Sequence, residues 1–326
     1  MLITRTPLRI SFVGGGTDMP AFYNHQKGAV VSFAINKYIY VLVNKKFDGK
    51  FRVSYSQTEN VDTIEEIKHD LIRESLLTHN IKKGLEIVTV SDIPGNGTGL
   101  GSSSATTVGL VNALESNTPP STLAERAWMI EAEKCFHPVG KQDHYAAAHG
   151  GLNYFEFSKR CVTVSPIPFS DHWINELENH SLLLWTGISR NANDILKHQC
   201  KNLERDEVAI ECGQRLSSLA TDLYNKMLDA EFIRGIPMET LAEFLDYGWG
   251  LKQGLEKGIG TDEITTLYDT AIDNGAWGGK MLGAGGGGFL YFIAPPFAHE
   301  GIAAATGLCR VSFKFEPKGS EVVYET

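Results

Sequence analysis

The feature that most restricts this chain is one run, Pro94-Gly95-Asn96-Gly97-Thr98-Gly99-Leu100-Gly101-Ser102-Ser103-Ser104-Ala105. It follows an alternating stretch, Leu85 to Val90, that reads as a strand. It precedes Ser102 to Leu114, which reads as a helix whose apolar face includes Ala105, Val108 and Val111. Glycine removes the Cβ that would hold a ligand away from the backbone. The helix start offers unpaired N–H groups and the positive end of its dipole to an anion. Hydroxyls at Ser102, Ser103 and Ser104 can meet phosphate oxygens or magnesium. A plainer reading also fits: a tight strand–helix connection with the serines as helix caps. No Gly-Lys-Ser/Thr follows, so this is not a Walker A loop, and the repeated βαβ pattern of a dinucleotide fold is missing.

Other elements can be read around this loop. Leu8 to Val13 and Val30 to Val43 are strand-like, as is Phe51 to Tyr55. Ile64, Ile67 and Leu71 keep a helical period. Thr122 with Glu125 suggests a capping box opening a helix that runs to about Lys134. In the second half, Ser181 to Trp185 reads as a buried strand, and helical stretches fill much of 191–274. The glycine-rich segment Gly278 to Gly288 runs into the apolar strand Phe289 to Ile293. Strands followed by helices, twice, indicate an α+β chain of two domains, 1–170 and 171–326.

With 326 residues, 42% of them hydrophobic, the chain can support two cores. A net charge of -9 disfavours nucleic acid or an anionic membrane as the main partner. The five cysteines are scattered and form no CxxC pair, which fits a reducing compartment without a zinc site. The N-terminus lacks a signal-peptide layout, and no apolar run approaches the ~20 residues of a membrane span, so a cytoplasmic protein is expected.

Three further segments change the reading of the loop: Thr6-Pro7-Leu8-Arg9 leading through a short strand to Gly14-Gly15-Gly16-Thr17-Asp18; Val139-Gly140-Lys141-Gln142-Asp143 downstream of Glu131-Ala132-Glu133; and Lys280-Met281-Leu282-Gly283-Ala284-Gly285-Gly286-Gly287-Gly288. In this order, with Pro94 to Ala105 between the first and second of them, they resemble the motifs of the GHMP kinases, and they span residues 6 to 288. Within that superfamily the pattern is most similar to the D-glycero-D-manno-heptose 7-phosphate kinases. Gly-Gly-Gly-Thr-Asp, Gln142-Asp143-His144-Tyr145-Ala146-Ala147 before Gly150-Gly151, and Arg190-Asn191-Ala192 carry that likeness. Galactokinase-like chains have Glu-His where this one has Gly15-Gly16. His144 departs from the usual Gln of the heptose kinases, and Leu282 from a common Ser or Thr.

The resemblance implies a two-domain fold, an N-terminal ribosomal-protein-S5-like α+β domain and a C-terminal ferredoxin-like α+β domain. It also implies transfer of the ATP γ-phosphate to a sugar hydroxyl with Mg2+. Pro94, Gly97, Gly99, Leu100, Gly101, Ser102, Ser103 and Ser104 would cradle the nucleotide. Ser103 and Glu133 would hold magnesium; Glu131 and Glu133 point apart on a helix, so at most one can serve. Taken alone, Glu133 reads more readily as a solvated charge on a helix face.

Asp143 would take or orient the acceptor proton, its rival reading being a helix N-cap. Arg9 would favour the ionised Asp143 or stabilise transferring charge; an arginine inside an apolar strand needs partners in any case. Lys141 would neutralise phosphate or sit at the surface. Gly15, Gly16, Thr17 and Asp18 would meet the sugar, with Asp18 otherwise a turn residue. Arg190 would meet the sugar's own phosphate. Gly283, Gly285 and Gly286 would let the second domain approach both substrates, or form a bulged turn. His137, His144 and His149 form no metal-ligand pattern. The implied acceptor is the anomeric O1 of a heptose 7-phosphate. The alternatives are another sugar such as fucose or galactose, a diphosphomevalonate-type decarboxylation, and a silent ATP–sugar sensor. A homo-oligomer is left open.

Overall fold

The structure, a computed structural model, describes residues 1–94, 97–115, 117–188, 192–229 and 235–326. Its frame is a long antiparallel pair, β1 (Leu2–Val13) and β2 (Gly28–Lys45), joined by the glycine turn and a single helical turn, α1 (Pro20–Tyr23). The hairpin β3 (Phe51–Ser54) and β4 (Thr58–Val61) precedes α2 (Asp70–Thr78) and β5 (Leu85–Ser91). The expected Ile64–Leu71 helix is displaced: a 3-10 turn covers Ile64–Glu66 and the α-helix begins only at Asp70.

After β5 come α3 (Ser102–Leu114), α4 (Pro120–Met129) and α5 (Gln142–His149), then β6 (Leu152–Phe157) and β7 (Val162–Pro166). The sheet has eight strands in the order β12-β1-β2-β5-β3-β4, with β6 and β7 attached through β2. β2 changes partner along its length. Residues Gly28–Phe33 pair with β6 and Ile39–Lys45 pair with β5. The β1–β2 register shifts between Pro7 and Leu8, where proline lacks the N–H that a regular ladder needs. The loop leaving β5 crosses β1 just past that shift, and Arg9 N–H donates to the Leu100 carbonyl at 3.1 Å.

The second layer holds α6 (Asp171–His180), β8 (Ser181–Trp185), α7 (Ala192–Arg205), α8 (Glu207–Leu228), α9 (Met238–Gln253), α10 (Asp262–Asp273), β9 (Gly278–Met281), β10 (Phe289–Ile293), α11 (His299–Thr306) and β11 (Cys309–Arg310). Its four strands form an antiparallel sheet in the order β11-β8-β10-β9. The chain then returns: β12 (Glu321–Glu325) pairs with β1, and Ile35 bridges Phe315. The C-terminal strand completes the first sheet, where it satisfies the outer edge of β1.

The two layers share a core. Phe12 lies 4.9 Å from Phe33 and 6.4 Å from Tyr291 of β10, centroid to centroid. The buried Lys280 ammonium donates to the Phe12 carbonyl at 2.9 Å. These contacts place the end of β1, and with it Arg9 and the glycine turn, against the second layer.

Candidate active site

A cleft of about 1240 Å³ runs between the β5–α3 loop on one side and α7 and α9 on the other. Single-ligand pockets run to about 300–1,000 Å³, so this one has room for two substrates side by side.

At one end lies the glycine loop. Gly97, Gly99 and Gly101 all have positive φ, at 72°, 77° and 82°, a region that side-chain-bearing residues rarely adopt. Gly101 caps α3 without any side-chain hydrogen bond and no acidic residue occupies the first turn. The helix start keeps its positive end toward the cleft, and the serines are not the caps of the plainer reading. Pro94, Gly97, Gly99, Gly101, Ser102, Ser103 and Ser104 all line the cleft. Leu100 does not; its side chain is buried in the core and its carbonyl holds β1. The third glycine segment packs directly on this loop. A Cβ on Gly283 would stand 2.4 Å from the Gly99 Cα, and Phe289 N–H donates to the Thr98 carbonyl at 3.1 Å. Gly283 edges the cleft and Gly286 a small recess beside Gly97. Gly285 instead faces Ile259.

Behind the loop sits a carboxylate. The expected ligand Glu133 is exposed and does not line the cleft, whereas Glu131 is buried and lines it. The reason is a π turn, Ile130–Lys134, at the end of α4, in which Cys135 N–H reaches back to the Ile130 carbonyl. The wider turn re-aims its side chains. Nor does the Thr122 capping box form: α4 begins at Pro120, whose ring suits a first helical turn.

Ser104 Oγ donates to Glu131 Oε2 at 3.0 Å, and His144 Nε2 lies 2.8 Å from the same oxygen. Burial alone would push the carboxyl up. The neighbouring His137, His144 and Ser103, with His137 Nδ1 3.8 Å from Oε1, outweigh it and hold the group well below the usual carboxylate range. Its Oε1 is buried with no hydrogen-bond partner among the described residues. His137 also pairs with Asp70 at 2.9 Å, and these two partners raise its pKa to about 9. Among the described residues no group of three or more His, Cys, Asp and Glu is arranged to hold a metal ion.

At the centre, Arg9 meets Asp143. Its Nε donates to Asp143 Oδ1 at 2.8 Å and its Nη2 lies 2.6 Å from that oxygen, while Nη1 donates to the Gly99 carbonyl at 2.7 Å. With its side chain only 3% exposed, this strand arginine is paired as a buried guanidinium must be. Asp143 is the second residue of α5, not its cap; Lys141 occupies the cap position.

Beyond Asp143 is Asp18, buried, accepting from Gly16 N–H at 2.9 Å, Gln142 N–H at 3.1 Å and Gln142 Nε2 at 3.2 Å. Burial, then the charge of Asp143, raises its pKa. Gly16 and Asp18 line the cleft. Thr17 does not: its hydroxyl donates to the Gly14 and Ala29 carbonyls at 2.8 and 3.0 Å, closing the turn. Gly15 is not a lining residue either, and its carbonyl accepts from Lys252.

Lys141, expected at the phosphate or at the surface, does not line the cleft. It is buried, ion-paired with Glu125 and 4.2 Å over the Trp128 ring. Arg190 lies outside the described residues. Three lining residues escaped the sequence reading: Lys252 at the end of α9, Gln199 on α7, and Gln142 as a side-chain contributor.

Comparisons with known proteins agree with this geometry. The GHMP kinases N terminal domain model matches residues 63–151, and the GHMP kinases C terminal model residues 235–306. A D-glycero-alpha-D-manno-heptose 7-phosphate kinase of Campylobacter jejuni is 34% identical over 310 residues, covering 90% of this chain and 89% of that protein. The chain belongs to the GHMP kinase family. Among solved structures, a D-glycero-D-manno-heptose 1-phosphate kinase from Bacteroides thetaiotaomicron superposes with TM-score 0.79 at 23% identity over 100% of both chains. A putative sugar kinase from Campylobacter jejuni gives 0.73 at 27% identity, over 98% of this chain and 97% of its own. This GHMP kinase is a phosphotransferase that takes phosphate from ATP and delivers it to an alcohol oxygen of a small molecule. None of its described helices is long and apolar enough to cross a membrane.

Proposed function

We propose that this GHMP kinase phosphorylates a sugar phosphate, the anomeric O1 of D-glycero-D-manno-heptose 7-phosphate, to give the 1,7-bisphosphate. The observation that carries the reading is the Arg9–Asp143 pair bonded to Gly99 of the glycine loop. It brings a carboxylate and a fixed cation to the point where a phosphate held by that loop would face an acceptor. The 34% identical heptose 7-phosphate kinase supports the choice of acceptor.

In this reading the backbone of Gly97 to Gly101 and the start of α3 hold the triphosphate. Asp143 aligns the acceptor hydroxyl and receives its proton as the oxygen attacks the γ-phosphorus and ADP leaves. Arg9 keeps Asp143 oriented and faces the charge that develops on the transferring group. The ionised Glu131 Oε1, which accepts no hydrogen bond among the described residues, lies near the Ser103 hydroxyl and fits Mg2+, which takes few protein ligands and completes its shell with phosphate and water. When bound, that ion would neutralise triphosphate charge. Gly16 and Asp18 meet the sugar. The five cysteines, all free thiols, suit a reducing cytoplasmic setting.

The test is ADP release from magnesium-ATP with the heptose 7-phosphate, fucose, galactose, mannose and no acceptor, run on the wild type and Asp143→Asn. Turnover on the heptose phosphate alone, falling about 10³-fold in the variant, is the expected result. Turnover on an unphosphorylated sugar instead would overturn the acceptor assignment, and full activity in Asp143→Asn would overturn the role of Asp143.

A further inference from the structure

The cleft contains polar groups that phosphate transfer does not use. Gln199 is 0% exposed and lines the cleft, yet its Oε1 has no hydrogen-bond partner among the described residues. Its Nε2 meets, among the described residues, only the Met19 sulfur, at 3.5 Å, a weak acceptor. Gln142 Oε1 is also buried and without a hydrogen-bond partner among the described residues, while Gln142 Nε2 holds Asp18. Lys252 is 4% exposed, and its ammonium, with three donors, makes one hydrogen bond among the described residues, to the Gly15 carbonyl at 3.2 Å. Buried polar atoms are nearly always paired in native proteins, and a site of exceptions points to a missing partner.

These groups converge around the glycine turn. Gly16 has φ +108°, and a Cβ there would stand 2.6 Å from Gln199 Nε2. A Cβ on Gly15 would lie 3.3 Å from Gln142 Nε2 and 3.6 Å from Lys252 Nζ. The bare backbone of the turn thus sits among the two amides and the ammonium, with Asp18 beside them.

We infer that Gln142, Gln199 and Lys252, with Asp18, form a polyol-reading subsite that selects the acceptor through its hydroxyls. The chemistry separates hydroxyl from phosphate. Two amide oxygens and a carboxylate present lone pairs that repel a phosphate oxygen but accept from a sugar O–H. The ammonium donates to the lone pairs that each hydroxyl still carries. A site built to pair hydroxyls rejects analogues lacking them far more strongly than an apolar pocket rejects a change in size, because the protein groups are left unpaired. The inference rests on the reading of this end of the cleft as the acceptor site.

The experiment is steady-state kinetics of Gln199→Leu, Lys252→Met and Lys252→Arg, varying ATP and acceptor separately, with ATP binding measured directly as a check on folding. The acceptor is whichever of the heptose 7-phosphate, fucose, galactose or mannose the wild type turns over. Gln199→Leu and Lys252→Met should raise the acceptor KM by about tenfold or more, leave ATP binding within about twofold, and Lys252→Arg should recover part of the loss. If fucose is the acceptor and its KM rises in the same way, the subsite stands and the heptose assignment falls. If the acceptor KM is unchanged, or the ATP KM rises in parallel, the subsite is overturned and the kinase reading stands. Should Lys252→Met fail to bind ATP, Gln199→Leu, which removes no charge, decides by the same criterion.

Discussion

The two ends of the cleft are built differently. The phosphate end comes from one stretch of chain, Gly97 to Ser104, and from Glu131, all carried by elements packed on the first sheet. The acceptor end is assembled from Gly16 and Asp18 after β1, Gln142 on α5, Gln199 on α7 and Lys252 on α9. One end is a local backbone conformation dictated by glycines. The other exists only when both layers are packed together. A lesion at the first should therefore damage ATP and metal handling alone, and a lesion at the second only the acceptor.

The largest expected effect sharpens the phosphate end. Glu131→Gln removes the charge beside Ser103 and should raise the Mg2+ concentration that supports ATP binding by about 100-fold, while Glu133→Gln stays near wild type. Titrating Mg2+ into the protein with a fluorescent ATP analogue checks this without turnover. The reverse ranking of the two variants would sink the placement of the metal.

Gly16→Ala breaks the comparison from the other end. The added Cβ would need φ +108° and would collide with Gln199 Nε2 and Leu255, so the second layer must withdraw. An acceptor KM about tenfold higher, with ATP affinity retained, is the expected outcome. A parallel loss of ATP affinity would mean that the two ends are not separable.

How much of this was legible in the sequence follows from the same contrast. α3 occupies Ser102–Leu114 and β10 Phe289–Ile293, as periodicity indicates, because these elements are defined by their own residues. Asp143, Arg9 and the glycine loop were marked by motif and by the oddity of an arginine in an apolar strand. That Glu131 rather than Glu133 lines the cleft depends on a π turn, and no propensity marks a single extra residue in a helix end. Lys141 looked like a phosphate binder next to Asp143, yet Glu125 and Trp128 on α4 capture it. Gln199 and Lys252 are ordinary polar positions on amphipathic helices, and only the packing of α7 and α9 over the glycine turn buries them.

A smaller effect concerns pH. Burial pushes Lys252 down to about 8, against the opposing pull of Asp18 and Asp143 and with the help of Arg9. Those groups come from the glycine turn, α5 and β1, and Lys280 of β9, itself buried and held well below the usual lysine range, feels the Lys252 charge. A depressed lysine is cationic below its pKa and neutral above it. Acceptor kcat/KM should therefore fall as pH rises through about 8, with ATP binding flat across that range. In Lys252→Arg, whose guanidinium stays charged, that limb should vanish. A limb that persists in the arginine variant would assign it to another group.

The smallest effect belongs to Lys141, which lies close to Asp143 in sequence but outside the cleft. Its ammonium is paired with Glu125 and stacked over Trp128, and neither Lys141 nor these two partners line the cleft. Lys141→Met keeps most of the aliphatic packing against the ring and removes the ion pair and the cation–π contact. Because Glu125 is partly exposed and also accepts from the Tyr145 hydroxyl at 2.9 Å, the stranded carboxylate retains a partner. The cost should be about 1 kcal/mol of unfolding free energy, read as a lower denaturation midpoint, with kcat and both KM values unchanged. A loss of kcat without a loss of stability would put Lys141 back among the groups that face the transferring phosphate, and the boundary drawn here between the cleft and its support would have to move to the far side of α5.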